Sequence, residues 1–229
     1  MQKIAIKELV GFIRRSDRSR KNYAIKLKSR EAKVKDETLS EEGGGDYWVT
    51  STSCIYNVFK YDNDSLYDPK VDELRVKHEN ATDTRIKTMY QRNIDILSSF
   101  KEFEFAELKP SDDLKFEKVP KANKVLEVNG FPLFVNPSFL FSYERNGKQE
   151  LGALWLIPML NGFKKYELGM FCEVLYRLLI ENYAHKYQIS PDFCIAVDTY
   201  SAQKIVYSEL LTGSVPLLID KTLKEIREL

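Results

Sequence analysis

Histidine and cysteine are scarce in this chain, and that scarcity narrows its chemistry. Among 229 residues there are two histidines, His78 and His185, and neither a His-Glu-x-x-His nor a Cys-x-x-Cys pattern occurs. The common zinc layouts are thereby excluded, and both histidines read as surface or capping residues. The three cysteines, Cys54, Cys172 and Cys194, are odd in number and widely spaced. They read as reduced core residues of a cytoplasmic protein, not as a disulfide frame. No apolar run reaches the roughly 18–20 residues that a bilayer span needs, so no membrane partner is expected. The opening residues Met1 to Glu8 hold no continuous apolar stretch, which argues against a secretory leader. A Gly-x-Ser-x-Gly elbow and a Walker loop are both missing. Gly43-Gly44-Gly45 lacks the Lys-Ser/Thr that a phosphate cradle needs and reads as a flexible linker.

What is present is aromatic and charged. Apolar residues make up 43% of the chain, with 13 Phe and 13 Tyr, enough for a sizeable core. The formal charge of +1 hides an asymmetry, because residues 1–35 carry 12 Lys/Arg and 3 Asp/Glu, leaving the remainder at −8. Three regions follow: a basic helical arm over 1–35, a Gly-rich linker over 36–46 and an α/β body over 47–229. In the arm, Ile6, Leu9, Val10 and Ile13 recur at helical spacing over 3–14. Residues 18–34 are helix-forming, but their charges point in all directions. Arg14, Arg15, Arg18, Arg20, Lys21, Lys26, Lys28 and Arg30 are the candidate nucleic-acid contacts. Without a single basic face they would grip phosphates and not read sequence. The competing reading docks the arm on the acidic body, or on a partner protein.

The body opens with Tyr47-Trp48, followed by a Ser/Thr-rich stretch in which Ser51, Thr52 or Ser53 can cap a short helix. Tyr47, Trp48 and Tyr56 can stack on bases or pack as core edges. Helical segments follow at about 70–79 and 83–101. Phe103-Glu104-Phe105 then alternates like a strand, and Lys109 to Lys124 is a charged, proline-punctuated connection. Strands are expected at 125–128, 131–135, 139–143, 151–157, 193–199 and 204–207. Asn129-Gly130 and Asn146-Gly147 mark tight hairpins, because Asn and Gly tolerate positive φ. The strongest helical pattern spans 166–187, with Glu173, Arg177 and Glu181 as an outer i,i+4 ladder. Ser214 is the candidate cap of a last helix carrying Leu218, Ile219, Leu223 and Ile226.

A strand meander, a long helix, two more strands and a closing helix, entered through the helices at 50–59 and 83–101, resemble the PD-(D/E)XK nuclease superfamily in its RecB- and Cas4-like branch. The resemblance covers residues 47–229 and rests on Asn136-Pro137-Ser138-Phe139-Leu140-Phe141 and Gly152-Ala153-Leu154-Trp155-Leu156-Ile157-Pro158. It implies a restriction-endonuclease-like mixed sheet flanked by helices. It also implies a metal site in which an aspartate follows the proline and an acidic residue stands two positions before a lysine. Two carboxylates there hold divalent cations that activate water. In this chain Pro137 is kept, Ser138 stands in the aspartate's place, and Trp155 and Ile157 replace the acid and the lysine. The site therefore reads as degenerate, with no catalytic residue, metal or cofactor. Mg²⁺ enters only if Glu127, Glu144, Glu150 or Glu173 has taken over.

Three functions remain open. The chain is a catalytically inactive nuclease relative that binds nucleic acid or a protein. Alternatively, it is an active metal-dependent nuclease with relocated acids. The third reading is an interaction subunit of a bacterial defence or mobile-element system without nucleic-acid contact. This last context is an analogy from fold alone.

Overall fold

The computed structural model describes residues 2–30, 47–111 and 113–229. The expected 36–46 linker lies outside the described residues. Among those described, eight α-helices and eight strands form a mixed α/β architecture with two mixed sheets. In chain order the first elements are β1 (Ile4–Ala5), α1 (Ile6–Ile13), α2 (Asp17–Ser29), α3 (Val49–Tyr61), α4 (Tyr67–Asn80) and α5 (Thr84–Phe100). Next come β2 (Lys115–Glu117), β3 (Val125–Val128), β4 (Phe131–Phe134), β5 (Phe139–Arg145), β6 (Lys148–Ile157) and α6 (Lys165–Tyr183). The chain closes with β7 (Gln188–Asp198), β8 (Gln203–Val206), α7 (Tyr207–Leu211) and α8 (Ile219–Glu228). No described helix is long and apolar enough to cross a membrane.

The larger sheet runs β2-β5-β6-β7-β8, and only its β6–β7 pair is parallel. A parallel neighbour demands a crossover, and α6 supplies it. The period-two alternation of the strands sorts side chains onto two faces. Phe139, Phe141, Leu154, Leu156, Ile195 and Val197 enter one core, which α3, α4 and α5 cover. Leu140, Leu151, Ala153, Cys194 and Ala196 enter the other, which α1, α2, α6 and α8 share. Both Asn-Gly turns form as expected, with φ of 51° and 75° at Asn129-Gly130 and 54° and 74° at Asn146-Gly147.

Several expectations change. Residues 131–134 do not join the sheet of 139–157. They pair instead with β3 and, in parallel, with β1 in a second sheet of order β1-β4-β3. The N-terminal segment expected as an arm is woven into the body. Ile6, Leu9, Val10, Phe12, Ala24 and Leu27 lie in the same core as α6 and α8, each large one worth about 1.5–3 kcal/mol over exposure. Phe103–Phe105 forms no strand. Ser51 and Thr52 sit inside the first turn of α3 and donate to the Trp48 carbonyl at 3.2 and 2.8 Å. The capping there comes from α5, where the buried Asn93 accepts from the Ser51 N–H at 3.0 Å. Likewise α8 begins at Ile219, not at Ser214. Glu173 caps it from α6, accepting from the N–H groups of Leu218 and Ile219 at 2.9 and 3.1 Å. The outer ladder of α6 is thus partly an inner one.

Candidate functional site

The hairpin of β5 and β6 brings the two stretches of the resemblance together. Ser138 enters β5 with its N–H donating to the Leu154 carbonyl at 3.0 Å, and its Oγ accepts from the Leu156 N–H at 3.0 Å. Its hydroxyl proton is left to point elsewhere. Trp155 projects from β6 half-buried, edge-on to Phe171 of α6 with ring centroids 5.2 Å apart. In front of them opens a cleft of about 560 Å³. Its walls come from six parts of the chain: the start of α1, the start of α3, the 118–124 connection, the β4–β5 loop with the end of β4, the end of β6 and Phe171 of α6.

Three lysines line this cleft, Lys7, Lys118 and Lys124, together with Thr52, Asn136 and Ser138. Among the described residues, no carboxylate lines it. Lys7 donates to the Pro158 carbonyl at 2.5 Å. Burial holds its ammonium below the ordinary lysine value, with the Asp198 carboxylate acting against that trend. Lys118 and Lys124 form no ion pair with any described residue. The apolar wall is aromatic, made of Trp48, Phe134, Trp155 and Phe171. Past Ser138 a shallower groove continues along α3 between Lys118 and Tyr56.

Behind the cleft, acidic side chains are consumed in holding the 158–164 loop. Asp198 accepts from Phe163 N–H and Tyr200 N–H, both at 2.9 Å, and from the Ser201 hydroxyl at 2.6 Å. Glu167 receives Arg14 in a two-pronged ion pair at 2.7 and 2.5 Å and the Lys164 N–H at 2.7 Å. Burial alone would raise the Glu167 pKa. The Arg14 and Lys164 bonds outweigh it and hold the carboxyl below its ordinary value.

The acids that could stand in for the metal site implied by the resemblance do not converge. Glu150 is held by the Tyr143 hydroxyl at 2.7 Å and by Arg145 at 3.0 and 2.8 Å. Glu173 caps α8, Glu144 pairs with Gln149, and Glu127 is exposed on β3. Among the described residues, no group of three or more His, Cys, Asp or Glu is placed to hold a metal ion. The side chains at 138, 155 and 157 do not fit the divalent cation that the resemblance implies.

The eight basic residues picked from the sequence lie elsewhere, and none lines the cleft. Arg14 serves Glu167, Arg20 pairs with Glu225 at 3.1 Å, and Arg30 pairs with Glu8 at 2.5 Å. Lys28 donates to the Arg227 carbonyl at 3.4 Å, and Arg15 lies over the Tyr23 ring at 4.1 Å. Arg18, Lys21 and Lys26 are exposed. The cleft lysines were missed because no periodicity marks them. Lys7 sits in the first turn of α1, while Lys124 ends a short 3-10 turn in the connection and Lys118 precedes that turn. Of the three aromatics noted in the sequence, Trp48 reaches the cleft and Tyr56 the adjoining groove, while the Tyr47 hydroxyl accepts from Arg92 at 2.7 Å. Comparison of the chain with protein-family models, with curated proteins and with solved structures finds no match.

Proposed function

We propose that this protein is a catalytically inactive relative of the PD-(D/E)XK nucleases, acting in the cytoplasm, that binds nucleic acid through the cleft at its β5–β6 hairpin. The observation that carries this reading is the coincidence of place and charge. The cleft lies at Pro137-Ser138 and Trp155-Ile157, where the resemblance would put the family's metal, and it presents Lys7, Lys118 and Lys124 with no carboxylate among its described lining residues. Two of these ammonium groups have no partner among the described residues, so an incoming phosphate meets them without first breaking an ion pair. An antiparallel hairpin followed by a helix and a parallel strand agrees with the restriction-endonuclease-like arrangement. The three buried free thiols suit a reducing compartment. The N-terminal arginines do not support the reading, because Arg14, Arg20 and Arg30 are engaged within the protein.

Binding of labelled oligonucleotides at rising salt tests it. Three phosphate contacts give a log–log salt slope of about −2 to −3, and replacing Lys118 and Lys124 by Ala should remove about two-thirds of it. The absence of salt-sensitive binding to either DNA or RNA sinks the proposal. Incubation with Mg²⁺ or Mn²⁺ should leave DNA and RNA intact. Cleavage that disappears on Glu150→Ala or Glu127→Ala would instead establish a nuclease with relocated acids.

A further inference from the structure

The lining of the cleft also bears on the form of its ligand, a step that rests on the nucleic-acid reading above. The chain has two tryptophans, and both face this one cleft, Trp48 from the start of α3 and Trp155 from β6. Both are half-buried. We propose that the cleft takes an unpaired strand, with one base stacked against an indole and its phosphates on the lysines. In a duplex the inner bases are stacked on both faces, so a duplex offers the lysines its phosphates and leaves the indoles in water. An unpaired base has a free π-face, and stacking on an aromatic side chain tolerates any base. The space fits this scale, since about 560 Å³ falls within the roughly 300–1,000 Å³ that a small-molecule-sized group fills. Ser138 adds a hydroxyl that accepts from the Leu156 N–H and keeps its own proton to donate. Lys118 and Ser138 belong both to the cleft and to the groove bearing Tyr56, so the strand has a continuous path with a second ring along it.

Because both tryptophans lie in the cleft, their fluorescence reports on it directly. The full chain is titrated with an unstructured mixed-sequence oligonucleotide (DNA and RNA separately), a blunt hairpin duplex of equal phosphate count, and inorganic polyphosphate. The single strands should quench the emission and bind at least about tenfold more tightly than the hairpin, the worth of one stacked base. Polyphosphate should bind without that quenching. Trp155→Leu, and Trp48→Leu as a second variant that does not disturb the Phe171 contact, should each lower single-strand affinity about tenfold by anisotropy and leave polyphosphate binding unchanged. Thermal melts confirm that each variant is folded. Equal binding of hairpin and single strand, with both tryptophan variants silent while Lys118→Glu abolishes binding, overturns the single-strand proposal and leaves the nucleic-acid reading standing. Polyphosphate binding as tight as the oligonucleotides also overturns it. No binding of any oligonucleotide removes the underlying reading itself.

Discussion

Glu173 shows how much one buried carboxylate can hold. It caps α8 through two N–H groups and receives Arg177 at 2.6 Å, and Arg177 in turn reaches Asp220 at 2.6 Å. Burial raises the Glu173 pKa despite these bonds. Replacing Glu173 by Ala leaves two helix-end donors without a partner and takes from Arg177 one of its two carboxylates. We expect a loss of about 3 kcal/mol in urea unfolding, with Glu173→Gln milder because its amide oxygen still accepts. Glu167 gives a second residue-scale prediction. A carboxyl held below its unfolded value takes up its proton at lower pH in the folded state. Its contribution is therefore fully present above the ordinary value of 4.5 and drains as pH falls through the depressed folded value. The melting-temperature gap between the wild type and Glu167→Gln should be widest at neutral pH and narrow as the pH falls below the ordinary value of 4.5. A gap independent of pH would refute it. The spacing of Glu173 and Arg177 revealed their pairing in the sequence. It did not reveal that the pair faces inward, because the element covering it, α8, lies some 45 positions away.

At the scale of elements, the β5–β6 hairpin was legible and its neighbour was not. Asn146-Gly147 marks the turn, and alternation along 139–157 marks two strands with opposite faces. β4 alternates just as cleanly, burying Phe131 and Leu133, yet it belongs to the other sheet. Period-two patterning gives a strand its faces but not its partner, and β4 finds its second partner in β1. The same limit hid the caps of α3 and α8, since Asn93 and Glu173 come from other helices. One glycine within the larger sheet has a clear role. Gly152 sits where the β6–β7 register shifts between Leu151 and Ala153. A Cβ there would lie 2.6 Å from the Phe193 carbonyl and 2.7 Å from the Phe141 ring. Gly152→Ala should destabilise the protein by about 1–3 kcal/mol, the usual cost of overpacking, in chemical denaturation. A change under about 0.5 kcal/mol, the range of ordinary surface substitutions, would mean that the strands shift apart cheaply.

For the whole molecule, the ion pairs favour the docking reading of the charge asymmetry over the free arm. A basic end and an acidic remainder meet in ion pairs such as Arg14–Glu167 and Arg20–Glu225, which fasten α1 and α2 onto α6 and α8. Changing Arg14, Arg15, Arg18 and Arg20 together to Ala should therefore lower the melting temperature by several degrees, chiefly through the uncompensated Glu167. An unchanged melting temperature with lost salt-sensitive oligonucleotide binding would restore these arginines as phosphate contacts. The candidate site was half legible. Pro137, Ser138, Trp155 and Ile157 were located from the sequence. The lysines that give their surroundings a charge come from segments that only the fold assembles. The pairing of β1 with β4 also reaches beyond stability into the order of events during synthesis. Ile4 lies opposite Leu133, so 129 positions separate the two sides of that contact. At about 5–20 residues per second, β1 and the apolar stripe of α1 wait on the order of ten seconds for their partner strand to be made. Leu9, Val10 and Phe12 share a core with Leu133, so that part of the core cannot close until the later strand has been made.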